Sequence, residues 1–182
     1  SSANCNCASH PLSDKGSVVA DHRTKERSQN QILTCCWQRT KLGDGDFVAM
    51  EGFTHLIPFA AGHEVIRQGR KDLTVSRMTP DLIYDQLIGM GAVDKLVFSW
   101  GGNPGVGSLH RLRDAVENGW PHQLQIEEHS HAGMANAYDA GAANLPFAMF
   151  RGYIGADLAK VNPNIRQIAC PFTGETLAAV PA

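Results

Sequence analysis

From residue 43 onward, short runs of β-branched and apolar residues alternate with stretches whose apolar positions recur at helical spacing, and this alternation restricts the fold most. Strands that alternate with helices read as βαβ units, which build a parallel sheet covered by helices. The expected fold class is α/β, an open and mostly parallel sheet with flanking helices. Strands are expected at residues 46–50, 72–77, 95–100, 124–127 and 147–150, and further ones at 165–170 and 177–180. Pro58 suits the first turn of a helix that runs to about residue 68 and stops at Gly69. Thr79, Pro80 and Asp81 open a second helix through Met90. Ser108 reads as the N-cap of a third, ending at Asn118 and Gly119, and Ser130 as the cap of a fourth over 131–142.

Residues 1–42 lack this alternation, which places a domain boundary near Gly43. They hold four of the five cysteines, carry +3 against −5 for residues 43–182, and contain seven large apolar residues in no helical stripe. The segment reads as divergent and mostly irregular, with room for a short helix over 29–39. Cys5, Cys7, His10, Cys35 and Cys36 are not expected to bind a metal. Cys-x-Cys and Cys-Cys spacings seldom bring two sulfurs to one tetrahedral ion, so reduced thiols are the expectation.

The formal net charge of −2, with no basic stripe, argues against nucleic acid as a partner. The longest uncharged apolar stretch, 56–62, falls far short of the ~20 residues of a membrane span. The first residues show no basic start and no apolar core, so a cytoplasmic location is expected.

Ligands of parallel sheets gather where strands end and helices begin, which directs attention to residues 51–58, 101–107 and 127–130. Four glycines within 101–107 follow a strand and could cradle an anion or simply make a tight turn. A nucleotide phosphate loop is excluded, because no lysine stands between Lys95 and Lys160. The dinucleotide fingerprint fails at His110, where a third glycine is needed. Glu51 is a candidate nucleophile or base, or else a salt-bridged residue at the sheet's edge. In Glu127-Glu128-His129-Ser130-His131, extended backbone puts Glu127 and His129 on one face and Glu128 on the other. A pair of His129 with a carboxylate would act in acid–base chemistry or tie down the loop, so Glu51, Glu128 and His129 are the candidate catalytic residues.

Several segments, in order, resemble the A (α) subunit of the family I CoA-transferases, particularly the glutaconate CoA-transferase-like branch. They include Gly43-Asp44-Gly45-Asp46, Gly52-Phe53 with Pro58, and Gly69-Arg70-Lys71-Asp72-Leu73-Thr74. Gly102-Asn103-Pro104-Gly105-Val106-Gly107, Arg111-Leu112-Arg113 and Gly141-Ala142-Ala143-Asn144-Leu145-Pro146 follow. The resemblance implies transfer of CoA from an acyl-CoA to a free dicarboxylic or 3-oxo acid. Coenzyme A would be substrate, and no cofactor would be bound permanently. It also implies a partner, the CoA-transferase β subunit, that carries the nucleophilic glutamate. Gly52, Phe53, Thr54, Gly102, Asn103, Gly105 and Gly107 of this chain would line the acyl-CoA pocket. Family members commonly have glycine where this chain has Glu51, and their sheet continues past the position of Ala182, so residues 43–182 are expected to form an incomplete domain. The alternatives are a hydrolase of a CoA thioester or ring carbonyl on the same fold, and a non-catalytic subunit that binds CoA or another ligand.

Overall fold

The computed structural model describes residues 42–52, 56–103, 105 and 107–182. The segment 1–41, with the expected short helix and four of the cysteines, lies outside the described residues. Strands β1 (Phe47–Ala49), β2 (Leu73–Ser76), β3 (Val93–Phe98) and β4 (Gln125–Glu128) alternate with helices α1 (Phe59–Arg67), α2 (Leu82–Gly89) and α3 (His110–Glu117). The four strands form one parallel sheet in the order β1-β2-β3-β4. Strand order that follows the sequence, with right-handed crossovers, puts all three helices on one face. There Val48, Val75 and Leu96, which pair across the sheet, join Val65, Ile83, Leu87 and Leu112 in the main core. Gly62 permits the close approach of α1 to α2, since a Cβ there would overlap the Ile83 side chain.

The chain then continues through α4 (His131–Ala142), β5 (Phe147–Phe150), α5 (Leu158–Val161), β6 (Arg166–Ala169) and β7 (Thr176–Pro181). These last three strands form a separate antiparallel sheet in the order β5-β7-β6. The strands expected near 147–150, 165–170 and 177–180 therefore exist, but outside the parallel sheet. Tyr153, Ile165, Ala178 and Val180 form their small core.

Two local expectations change. Strand β3 begins at Val93, two residues before the expected start. Val93 pairs with Leu73 and Lys95 with Thr74, and the register shift between them leaves Asp94 opposite no residue of β2. Ser108 does not cap α3: the N-cap is Leu109, without a side-chain hydrogen bond. Asp85 of α2 takes that role from a distance, its Oδ1 accepting from the backbone N–H of Arg111 (2.8 Å) and Leu112 (2.9 Å). A carboxylate at a helix N-terminus also meets the positive end of the helix dipole. The expected cap of α4 is present, with Ser130 Oγ accepting from Gly133 N–H.

The Gly43-Asp44-Gly45-Asp46 turn works at the N-terminal ends of the strands. Asp46 accepts from Gly43 N–H, and Asp44 accepts from Lys71 N–H at the start of β2. That end of the sheet is opposite the loops expected to meet a ligand.

Candidate functional site

At the C-terminal ends of β1, β2 and β3 the backbone leaves the sheet at Glu51, Arg77 and Ser99. Helix α4 crosses these ends on the face away from α1–α3. Its His131 and Tyr138 are seven residues, about two turns, apart and so share one side of the helix. The Tyr138 hydroxyl donates to Glu51 Oε1 at 2.8 Å and takes a hydrogen bond from Ser76 Oγ at 3.2 Å. Burial first, and the neighbouring Glu51 carboxylate second, push the Tyr138 phenol well above its ordinary value, so it stays a donor.

Met78 links the strand ends. Its N–H donates to Glu51 Oε1 (3.0 Å), while its carbonyl accepts from the Ser99 hydroxyl (2.7 Å) and from the N–H of Ser99 and Trp100. With the Ser99 proton committed to Met78, His131 Nδ1, 2.9 Å from Ser99 Oγ, is the donor of that pair. Arg77 approaches from the helix-covered face. It is 2% exposed, its Nη2 donates to the Gly52 carbonyl, and its Nε lies 4.0 Å from Glu51 Oε2. The guanidinium carbon sits 5.6 Å from the ring centre of Tyr84, whose hydroxyl donates to Met50 O (2.7 Å).

Of the two roles open to Glu51, the geometry matches the salt-bridged residue at the sheet's edge. One oxygen serves two donors and the other faces Arg77. Gly52 is needed for packing: a Cβ there would overlap the Leu56 carbonyl oxygen. Phe53 and Thr54 lie outside the described residues.

Among the described residues, three amides of the glycine-rich loop are satisfied within it and a fourth by Pro80. Asn103 and Gly107 exchange N–H···O=C bonds of 3.1 and 2.7 Å, Gly105 N–H donates to Asn103 Oδ1, and Gly102 N–H donates to Pro80 O. Asn103 also donates from Nδ2 to Asp81 at the N-cap of α2 (2.6 Å). Among the described residues the loop therefore presents a tight, braced turn to the strand ends, with these four amides engaged. At Gly101 and Gly102 a Cβ would crowd the Leu112 side chain at 2.8 Å and the Trp100 indole at 2.7 Å, so those side chains would have to shift.

The dense segment 127–131 divides as the strand geometry requires. Glu127 Oε1 pairs with His129 Nε2 at 2.9 Å, and Oε2 with Lys95 at 2.6 Å. Because a carboxylate only accepts, Nε2 carries the proton; Nδ1 then faces the Tyr153 hydroxyl at 3.4 Å. Burial alone would raise the Glu127 carboxyl, but hydrogen bonds from His129, Lys95 and Asn164 outweigh it and bring it down to about 2. His129, 6% exposed, ties the loop to the second sheet. Asn162 does the same by donating to the carbonyl of Glu128, whose side chain is exposed.

Arg77, Ser99 and Tyr138 are not singled out by sequence reasoning; His131 belongs to the dense segment 127–131, but its contact with Ser99 comes only from the fold. Arg77 reads as a strand end and Tyr138 as one aromatic in a helix of small residues, so no local signal marks them. Among the described residues no cluster of three or more His, Cys, Asp or Glu is placed to hold a metal, and no helix is long and apolar enough to cross a membrane. Two surface grooves lie apart from the Glu51–Tyr138 cluster, the first of them reaching Glu127 and Glu128 at the C-terminal end of β4. One of about 360 Å³ runs between Ile126 at the β4 edge and Val161. The other, of about 340 Å³, runs along α3 beside Trp120.

No protein-family model matches the chain. Over 141 residues, 78% of its length, it is 72% identical to the α subunit of the 3-oxoadipate CoA-transferase of Pseudomonas knackmussii, of which it covers 50%. Glutaconate coenzyme A-transferase from Acidaminococcus fermentans superimposes with a TM-score of 0.70 and 30% identity, over 77% of this chain and 49% of that one. A variant of the decarboxylase AibA/AibB gives a TM-score of 0.70 and 28% identity, over 78% of this chain and 54% of that one. The chain thus spans about half the length of these relatives.

Proposed function

Since the chain belongs to the α-subunit family of the family I CoA-transferases, we propose that it forms one side of a two-subunit CoA-transferase acting on a 3-oxo dicarboxylic acid. The observation that carries this reading is the 72% identity over 141 residues to the α subunit of a 3-oxoadipate CoA-transferase. In the proposed reaction a glutamate of the β subunit, through its carboxylate, attacks the thioester carbonyl, giving a mixed anhydride and releasing the CoA thiolate. The thiolate then attacks the glutamyl carbonyl of the anhydride, freeing the first acid and leaving a glutamyl-CoA thioester on the enzyme. The acceptor acid reverses these steps and leaves as its CoA ester. The engagement of Glu51 by Tyr138, Met78 and Arg77 supports placing the nucleophile on the partner.

This chain would contribute the wall of the pocket: Gly52, Phe53 and Thr54 near the reacting carbonyl, and Gly102, Asn103, Gly105 and Gly107 as a stiff rim. Its substrates being CoA thioesters, the enzyme is proposed to work in the cytoplasm. The test is co-expression with the β subunit from the adjacent reading frame. The purified pair should exchange CoA between an acyl-CoA and 3-oxoadipate with ping-pong kinetics, and hydroxylamine should trap the enzyme thioester. A pair that shows neither exchange nor trapping removes the reading.

A second reading keeps the site but not the transfer; the decarboxylase among the structural relatives supports it only in that a related fold serves chemistry other than CoA transfer. A hydrolase that relies on Glu51 would release free acid without an acceptor. Glu51→Gln separates the two: such a hydrolase should lose at least about a hundredfold in rate, while transfer by a nucleophile on the β subunit should persist within about tenfold. Tight CoA binding without turnover in any pairing would instead indicate a non-catalytic subunit.

A further inference from the structure

We propose that Arg77 is a positioning residue for the transfer reaction, its guanidinium fixing the Glu51–Gly52 turn at the end of β1 against the cleft that the β subunit closes. This rests on the transferase reading. Arg77 is a buried cation whose ion pair with Glu51 is at the 4.0 Å limit, and that carboxylate already serves Tyr138 and Met78. Its Nη1, buried within the protein, has no hydrogen-bond partner among the described residues. The cation is compensated by the Gly52 carbonyl, the Glu51 carboxylate and the Tyr84 ring together, so a buried charge is kept where an ion pair alone adds little net stability.

What the guanidinium supplies is direction. A rigid planar fork can hold two groups at once, and here the two are consecutive: the Gly52 carbonyl and the Glu51 carboxylate. Tyr138 grips the same carboxylate from the opposite face of the sheet. The turn is therefore held from both faces. A Cβ at Gly52 would overlap the Leu56 carbonyl oxygen, so the position takes glycine, whose backbone freedom the contacts from Arg77 and Tyr138 restrict.

The test pairs Arg77→Met and Arg77→Lys variants of this chain with the wild-type β subunit. Arg77→Met removes the partner of Glu51 and the donor to Gly52 O, so it should lower the melting temperature while staying folded at the assay temperature. It should lose about tenfold or more in kcat, with KM for acyl-CoA within about threefold. Arg77→Lys keeps the charge without the fork and should recover little of that loss. Amide exchange at Met78, whose N–H donates to Glu51 Oε1, should speed up in Arg77→Met while the amides of β2 and β3 keep their protection. Full kcat in Arg77→Met, a loss of activity matched by loss of folded protein, or unchanged exchange at Met78 would overturn the proposal. If the wild-type pair transfers CoA to no acid, the transferase reading fails and the exchange result alone decides whether Arg77 positions the turn.

Discussion

Glu127 shows how one side chain makes stability depend on pH. Its carboxyl lies at about 2 in the folded protein against an ordinary 4.5. The ionised form is thus favoured by folding: the stabilisation is complete above pH 4.5 and is lost as pH falls through about 2. After allowance for solvent screening it amounts to about 1–2 kcal/mol. Urea unfolding followed from about pH 5 to about pH 2 should show this loss. Glu127→Gln should start less stable at the upper end of that range and fall less on acidification, whereas an equal acid slope in both proteins would refute the assignment. The pairing of Glu127 with His129 was legible in the sequence, because alternate residues of a strand share a face. The involvement of Lys95, Asn164 and Tyr153 was not, since they come from other elements.

At the scale of elements, the capping of α3 shows where local reading stops. Ser108 has the chemistry of a cap and the correct place in the chain, yet Asp85 reaches the N-terminus of α3 from the neighbouring helix. Asp85→Ala should lower unfolding free energy by about 1–3 kcal/mol, because the buried N–H of Leu112 and the partly buried N–H of Arg111 lose their acceptor. Asp85→Asn keeps one acceptor oxygen and should lose less, and Ser108→Ala should stay within about 0.5 kcal/mol of wild type. Urea midpoints order the three, and a larger effect at Ser108 than at Asp85 would contradict the structure. The remaining helix boundaries follow local rules, with Gly69 (φ 64°) just past the end of α1 and Ser130 at the start of α4.

At the scale of the molecule, two cores of unequal size share the described residues. Sixteen buried side chains hold the parallel sheet to α1–α3, whereas four form the core of the antiparallel sheet. The connection runs through Tyr153, whose hydroxyl accepts from Ser130 N–H (2.8 Å), and through Asn162, which donates to Glu128 O. Hydrogen exchange should therefore find amides of β5–β7 opening at lower free energy than those of β2 and β3. Asn162→Ala should speed exchange in β6 more than in β2, and equal protection of both sheets would show a single cooperative block instead. By itself the sequence determined the α/β alternation, most element positions and the loops at the strand ends, because periodicity and turn chemistry are local. Tertiary structure alone decided that the last strands leave the parallel sheet. It also brought Glu51 and Tyr138, 87 positions apart, together over a buried Arg77. Such convergence depends on strand register and on where α4 lies across the sheet, and both are set by long-range packing that no local pattern encodes.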